Sequence, residues 1–143
     1  TMDLNAPVST IMSTELKSVA PDDPVARIDE LFREHRIHHV PVVSKDENVL
    51  GVISKSDFLY LLRGFTDNET DRFRKQAMLR AFKVEEIMTK EVTTIHQDTP
   101  IKKAVELLAE NRFRSLPVID DQGIIRGIVT THDIVDLVNR EAI

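Results

Sequence analysis

Apolar residues fall in short blocks whose period changes along the chain. Ile28, Leu31 and Phe32, and later Ala104, Leu107 and Leu108, recur at helical spacing and predict helices with one apolar face. Asp22-Asp23-Pro24 and Asp98-Thr99-Pro100 precede them as helix starts. Before each start lies a short apolar or β-branched run, residues 16–19 and residues 92–95, which predicts a strand. Val40-Pro41-Val42-Val43 and Leu116-Pro117-Val118-Ile119 are apolar runs too short for helices and predict strands, with proline expected at an edge or first position. Polar turns at residues 44–48 and 120–123 lead into residues 49–53 and 124–129, so each region predicts a hairpin. Ser54 and Thr130 then open a last helix, apolar at Phe58, Leu61 and Leu62 in one case and at Ile134, Val135 and Val138 in the other.

The order strand, helix, strand, strand, helix therefore occurs twice. At a constant offset of 76 positions, residues 8–62 lie on residues 84–138 without a gap, and 15 of the 55 pairs are identical. Val8/Val84, Met12/Met88, Pro41/Pro117, Gly51/Gly127 and Asp57/Asp133 are among them. The fold class this predicts is α/β (α+β), built from two β-α-β-β-α repeats at 8–62 and 84–138. Each repeat is at the lower limit for independent stability, so the two are expected to pack together about a pseudo-twofold axis. Residues 63–83 join them. Phe73, Ala77 and Ala81 recur every four residues there and predict a helical connector with a solvated basic face.

Composition narrows the function. The chain has 143 residues, no Cys and 41% hydrophobic residues, which suits one ordered globule and excludes disulfides, Cys-based zinc sites and thiol catalysis. A formal charge of −5 gives no long-range attraction to nucleic acid or an anionic membrane. No stretch reaches the ~20 apolar residues of a membrane span, and no charged-then-apolar leader is visible, so a cytoplasmic location is expected. Thr1 ahead of Met2 is expected to be a leftover of expression cloning. Four glycines form no phosphate loop of the Walker or dinucleotide type. His35 and His39 have helical spacing, but Val40 and Pro41 follow at once and no third ligand is near in sequence, which argues against a metal site. No nucleophile or acid–base pair stands out, so no catalytic residue is assigned.

One constellation remains. Gly51-Val52-Ile53-Ser54-Lys55-Ser56-Asp57 and Gly127-Ile128-Val129-Thr130-Thr131-His132-Asp133 each place a hydroxyl where a strand becomes a helix and a carboxylate three residues on. Such a pair is a helix cap, worth about 0.5–2 kcal/mol. The same geometry offers N–H groups to an anion and a carboxylate to the vicinal hydroxyls of a ribose. Both readings stand on the sequence.

These segments, with Ile11-Met12, Ile87-Met88 and the apolar-Pro-Val runs in constant order, resemble the CBS-domain family, named for cystathionine β-synthase, whose tandem copies form a Bateman module. The resemblance implies a regulatory module with no required cofactor. It implies adenosine-containing ligands, such as AMP, ADP, ATP or S-adenosylmethionine, in two clefts between the copies, and an unknown regulated protein as partner. One cleft would use Val52, Ser54, Ser56 and Asp57 with Val92, Thr93, Arg114 and His132; the other would use Ile128, Thr130, His132 and Asp133 with Leu16, Lys17, His38 and His39. Val and Leu would pack on adenine, Asp would bind ribose and the basic side chains would face phosphate. Arg114 carries a fixed charge that His38 and His39 do not. In place of the His-Arg pair of some family nucleotide sites the chain has Arg114-Ser115 and His38-His39, a departure that bears on triphosphate binding. A homodimer through the last helix of each repeat is also expected, because those helices are apolar on more than one side. The alternative is a structural interaction domain with no nucleotide.

Overall fold

The computed structural model describes residues 2–141. It divides into two compact units, one formed by Lys17–Lys45 and Leu50–Lys90, the other by the chain up to Leu16 together with Asp46–Val49 and the residues from Glu91 onward.

In the first unit α1 (Ala26–Glu34) buries Ile28, Leu31 and Phe32, the stripe its periodicity predicts. Its outer face carries Arg27–Glu30 and Arg33–Asp29 ion pairs at 3.0 Å. The helix has ended before His39, which opens β1 (His39–Val43), and β1 is paired with β2 (Val49–Ser54). Then follow α2 (Lys55–Leu61), α3 (Glu69–Ala81) and the single turn α4 (Val84–Ile87). Phe58 of α2 packs on Phe32 with ring centroids 5.5 Å apart, and Leu79 of α3 completes this core.

The second unit holds β3 (Ile95–His96), α5 (Ile101–Ala109), β4 (Ser115–Ile119), β5 (Ile125–Thr130) and α6 (Thr131–Glu141). Its sheet has the order β3-β4-β5, with β3 parallel and β5 antiparallel to β4. Val8, Ile101, Leu116, Val118 and Val129 form its core.

The two units repeat the same pairings at the 76-residue offset. Val19 bridges Val42 in parallel as Ile95 pairs with Val118. Thr89 bridges Val52 in one unit as Ser13 bridges Ile128 in the other, and Pro24 meets Lys83 as Pro100 meets Pro7. Each unit thus combines the strands of one repeat with the opening segment of the other, so the compact units and the sequence repeats do not share boundaries.

Three expectations change. Val92, Thr93 and Thr94 precede β3 rather than belonging to it, and of residues 16–19 only Val19 is bridged. β-Branched residues favour extended backbone, but a strand also needs a neighbour, and β3 meets β4 only at Val118 and Ile119. Pro117 lies in a central strand, not at an edge; the same short overlap means that no ladder bond to β3 is required of its nitrogen. The α3 helix forms, but Phe73, Ala77 and Ala81 are exposed, Phe73 by 76%. Leu79, with Met78 beside it, is the residue that anchors the helix.

Candidate functional site

At the end of β2, Val52 and Ser54 are buried, and the Ser54 hydroxyl accepts the Asp57 N–H at 3.1 Å. The Lys55 N–H donates to the His38 carbonyl at 2.8 Å, which fixes where α2 begins. Asp57 stands exposed on the first turn, and no donor among the described residues bonds its carboxylate. Beside it Thr89 is tied to Val52 by two backbone bonds, 3.1 and 3.0 Å. Val52, Asp57 and Thr89 line a cleft of 330 Å³ together with apolar Phe58, Leu61 and Ile87 and charged Glu86 and Arg63; Ser54 is not part of its lining. Arg63 is held over the Tyr60 ring, 3.8 Å from its centroid. The volume is at the small end of the range for ligand pockets, about 300–1,000 Å³.

The repeat-equivalent turn is arranged differently. The Asp133 carboxylate accepts the Thr130 N–H at 2.8 Å and the Thr130 hydroxyl at 3.4 Å through Oδ2, and the Ser13 hydroxyl at 3.0 Å through Oδ1. Ser13 is brought there by paired backbone bonds with Ile128, 2.9 and 3.0 Å. The acid of this turn is part of the cap.

Among the other residues drawn from sequence, Ser56 and His132 are exposed in the first turns of α2 and α6, and Arg114 is exposed immediately before β4. Val92 and Thr93 are half-buried ahead of β3. Leu16 is half-buried and Lys17 exposed, outside any strand; His38 is exposed just before β1 and His39 half-buried at its start. Sequence reasoning missed Ser13 and Thr89. Their signal was available, since both follow an Ile-Met pair at equivalent repeat positions and carry a hydroxyl.

Elsewhere in the second unit, Asp120 closes the β4–β5 turn. It accepts the Gln122 and Ile124 N–H groups at 2.9 and 3.0 Å and the Arg126 guanidinium at 2.8 Å. Burial pushes its carboxyl pKa up, but these donors outweigh that and hold it below the usual value. Among the described residues no group of His, Asp and Glu is placed to hold a metal ion, and no helix is long and apolar enough to cross a membrane.

Duplicated strand-to-helix turns of this kind, on paired α+β units, define a known class. The family model for the CBS domain matches twice, over residues 8–64 and 84–140, and the chain belongs to that family. A CBS domain-containing protein of Dictyostelium discoideum is 33% identical over 136 residues, covering 91% of this chain and 89% of its own. Homoserine O-acetyltransferase of Methanohalobium evestigatum is 30% identical over 92% of this chain, which spans only 24% of that enzyme's length. Among solved structures, CBSX2 in complex with AMP has a TM-score of 0.77 at 27% identity, covering 96% of this chain and 99% of that one. The CBS domain pair of protein MJ0100, in complex with 5′-methylthioadenosine and S-adenosylmethionine, has a TM-score of 0.74 at 26% identity, covering 94% and 97%.

Proposed function

We propose that this chain is a non-catalytic regulatory module that takes an adenosine-containing ligand, of the class AMP, ADP, ATP or S-adenosylmethionine, and signals its presence to a partner protein. The observation that carries the reading is the unbonded Asp57 carboxylate beside buried Val52 in a cleft of 330 Å³. An apolar wall accepts the face of a purine, and an ionised carboxylate accepts hydrogen bonds from two vicinal hydroxyls. The ligands held by CBSX2 and by the MJ0100 domain pair support the class of ligand.

The outward faces of α2 and α6 support a second element of the proposal, association of two copies. Leu59 and Tyr60 on α2 and Val135 on α6 are 55%, 65% and 58% exposed, apolar surface that a second copy would take out of water.

A thermal-shift panel of adenosine, AMP, ADP, ATP and S-adenosylmethionine tests the function. A ligand that binds only the folded state raises Tm as its concentration passes Kd. At least one adenosine compound should raise it. No shift with any of them leaves the structural interaction domain as the better reading.

A further inference from the structure

We propose that the chain binds one adenosine ligand, at Asp57, and that Asp133 is a helix cap withdrawn from binding; the inference rests on the sensing function above. The two turns share one motif but divide its labour in opposite ways. A hydroxyl and an acid three residues apart can form two reciprocal capping bonds, hydroxyl to the third N–H of the helix and acid back to the cap N–H. At the first turn the hydroxyl does the capping, since Ser54 Oγ accepts the Asp57 N–H, and the acid is left over. At the second the acid does it, since Asp133 Oδ2 accepts the Thr130 N–H.

Ser13 completes the difference. Its hydroxyl occupies the other oxygen of Asp133 at 3.0 Å, whereas Thr89, at the equivalent repeat position, makes no hydrogen bond to Asp57 and lines the cleft beside it. A ribose at Asp133 would have to compete for oxygens that the Ser13 hydroxyl and the Thr130 N–H already engage, and taking the place of the Thr130 N–H would strip it of its acceptor. A ribose at Asp57 displaces only water. The motif that looks duplicated therefore encodes one binding carboxylate and one structural one.

The two acids should consequently trade phenotypes. In titration calorimetry with AMP, the wild-type chain should bind one equivalent. Asp57→Asn should weaken binding by about ten- to a hundredfold, the loss expected for a charge-assisted hydrogen-bond acceptor, and leave Tm unchanged. Asp133→Asn should lower Tm and keep both the stoichiometry and the affinity within about twofold. Ser13→Ala serves if Asp133→Asn fails to fold, with the same expected pattern and a smaller fall in Tm. Two equivalents per wild-type chain, or a loss of AMP affinity in Asp133→Asn or Ser13→Ala comparable to that in Asp57→Asn, overturns the inference while leaving the sensing function intact. Absence of binding to AMP, ADP, ATP and S-adenosylmethionine by the wild type overturns the sensing function and the inference together.

Discussion

Gly51 and Gly127 show how single residues build the turn. A Cβ on Gly51 would lie 2.7 Å from Met88 Sδ and 2.8 Å from the Thr89 carbonyl oxygen; on Gly127 it would lie 2.5 Å from Met12 Sδ and 3.0 Å from the Ser13 carbonyl oxygen. Only hydrogen fits, and that close approach is what sets Thr89 beside Asp57 and Ser13 on Asp133. Asp120 acts at the same scale through its charge. With its native pKa below the unfolded value near 3.8, the carboxylate contributes stability that is fully present above that value and lost as pH falls through the native one. Asp120→Asn should therefore lower Tm at neutral pH. The gap to wild type should narrow below about pH 4 and close in stronger acid. A gap independent of pH, in melts followed by circular dichroism, would assign the loss to packing instead.

At the level of elements, amphipathic period located α1 and α5: Ile28, Leu31 and Phe32 are buried as it implied, and so is Ala104, while Leu107 and Leu108 are half-buried beside it. The connector was legible as a helix but not in its orientation. Phe73, Ala77 and Ala81 form the visible stripe, yet Leu79 makes the buried contact, because anchoring depends on what lies opposite and not on how many apolar residues a face carries. Leu79→Ala should cost about 2–5 kcal/mol in urea unfolding, and Phe73→Ser should stay within about 0.5 kcal/mol. The reverse ranking would return the helix to its other face. The candidate site was legible as a motif and illegible as an asymmetry. Asp57 and Asp133 have the same local sequence signature, and what separates them is which group of the turn does the capping and a bond from Ser13, 120 residues away from Asp133 along the chain. Reading the short first strands failed for a similar reason, since pairing depends on a partner that local propensity does not specify.

Across the whole molecule, each repeat lends its opening segment to the strands of the other, so neither repeat's own residues alone make up a compact unit. The same scale governs association. A chain of 16.3 kDa that buries Leu59 and Val135 against a second copy should elute with twice that mass at micromolar concentration under light scattering. Leu59→Glu or Val135→Glu should return the monomer mass, because a carboxylate placed in that contact would lose its water without gaining a partner. A wild-type mass of 16.3 kDa would reject the dimer. The central claim, that an adenosine ligand binds at the strand-to-helix turn of the first unit, is tested most directly by following backbone amide resonances of the labelled chain during titration with AMP. Saturable shifts should concentrate at Val52, Ser54, Ser56, Asp57 and Thr89 and disappear in Asp57→Asn. Shifts confined to other regions, or none at saturating AMP, would contradict it.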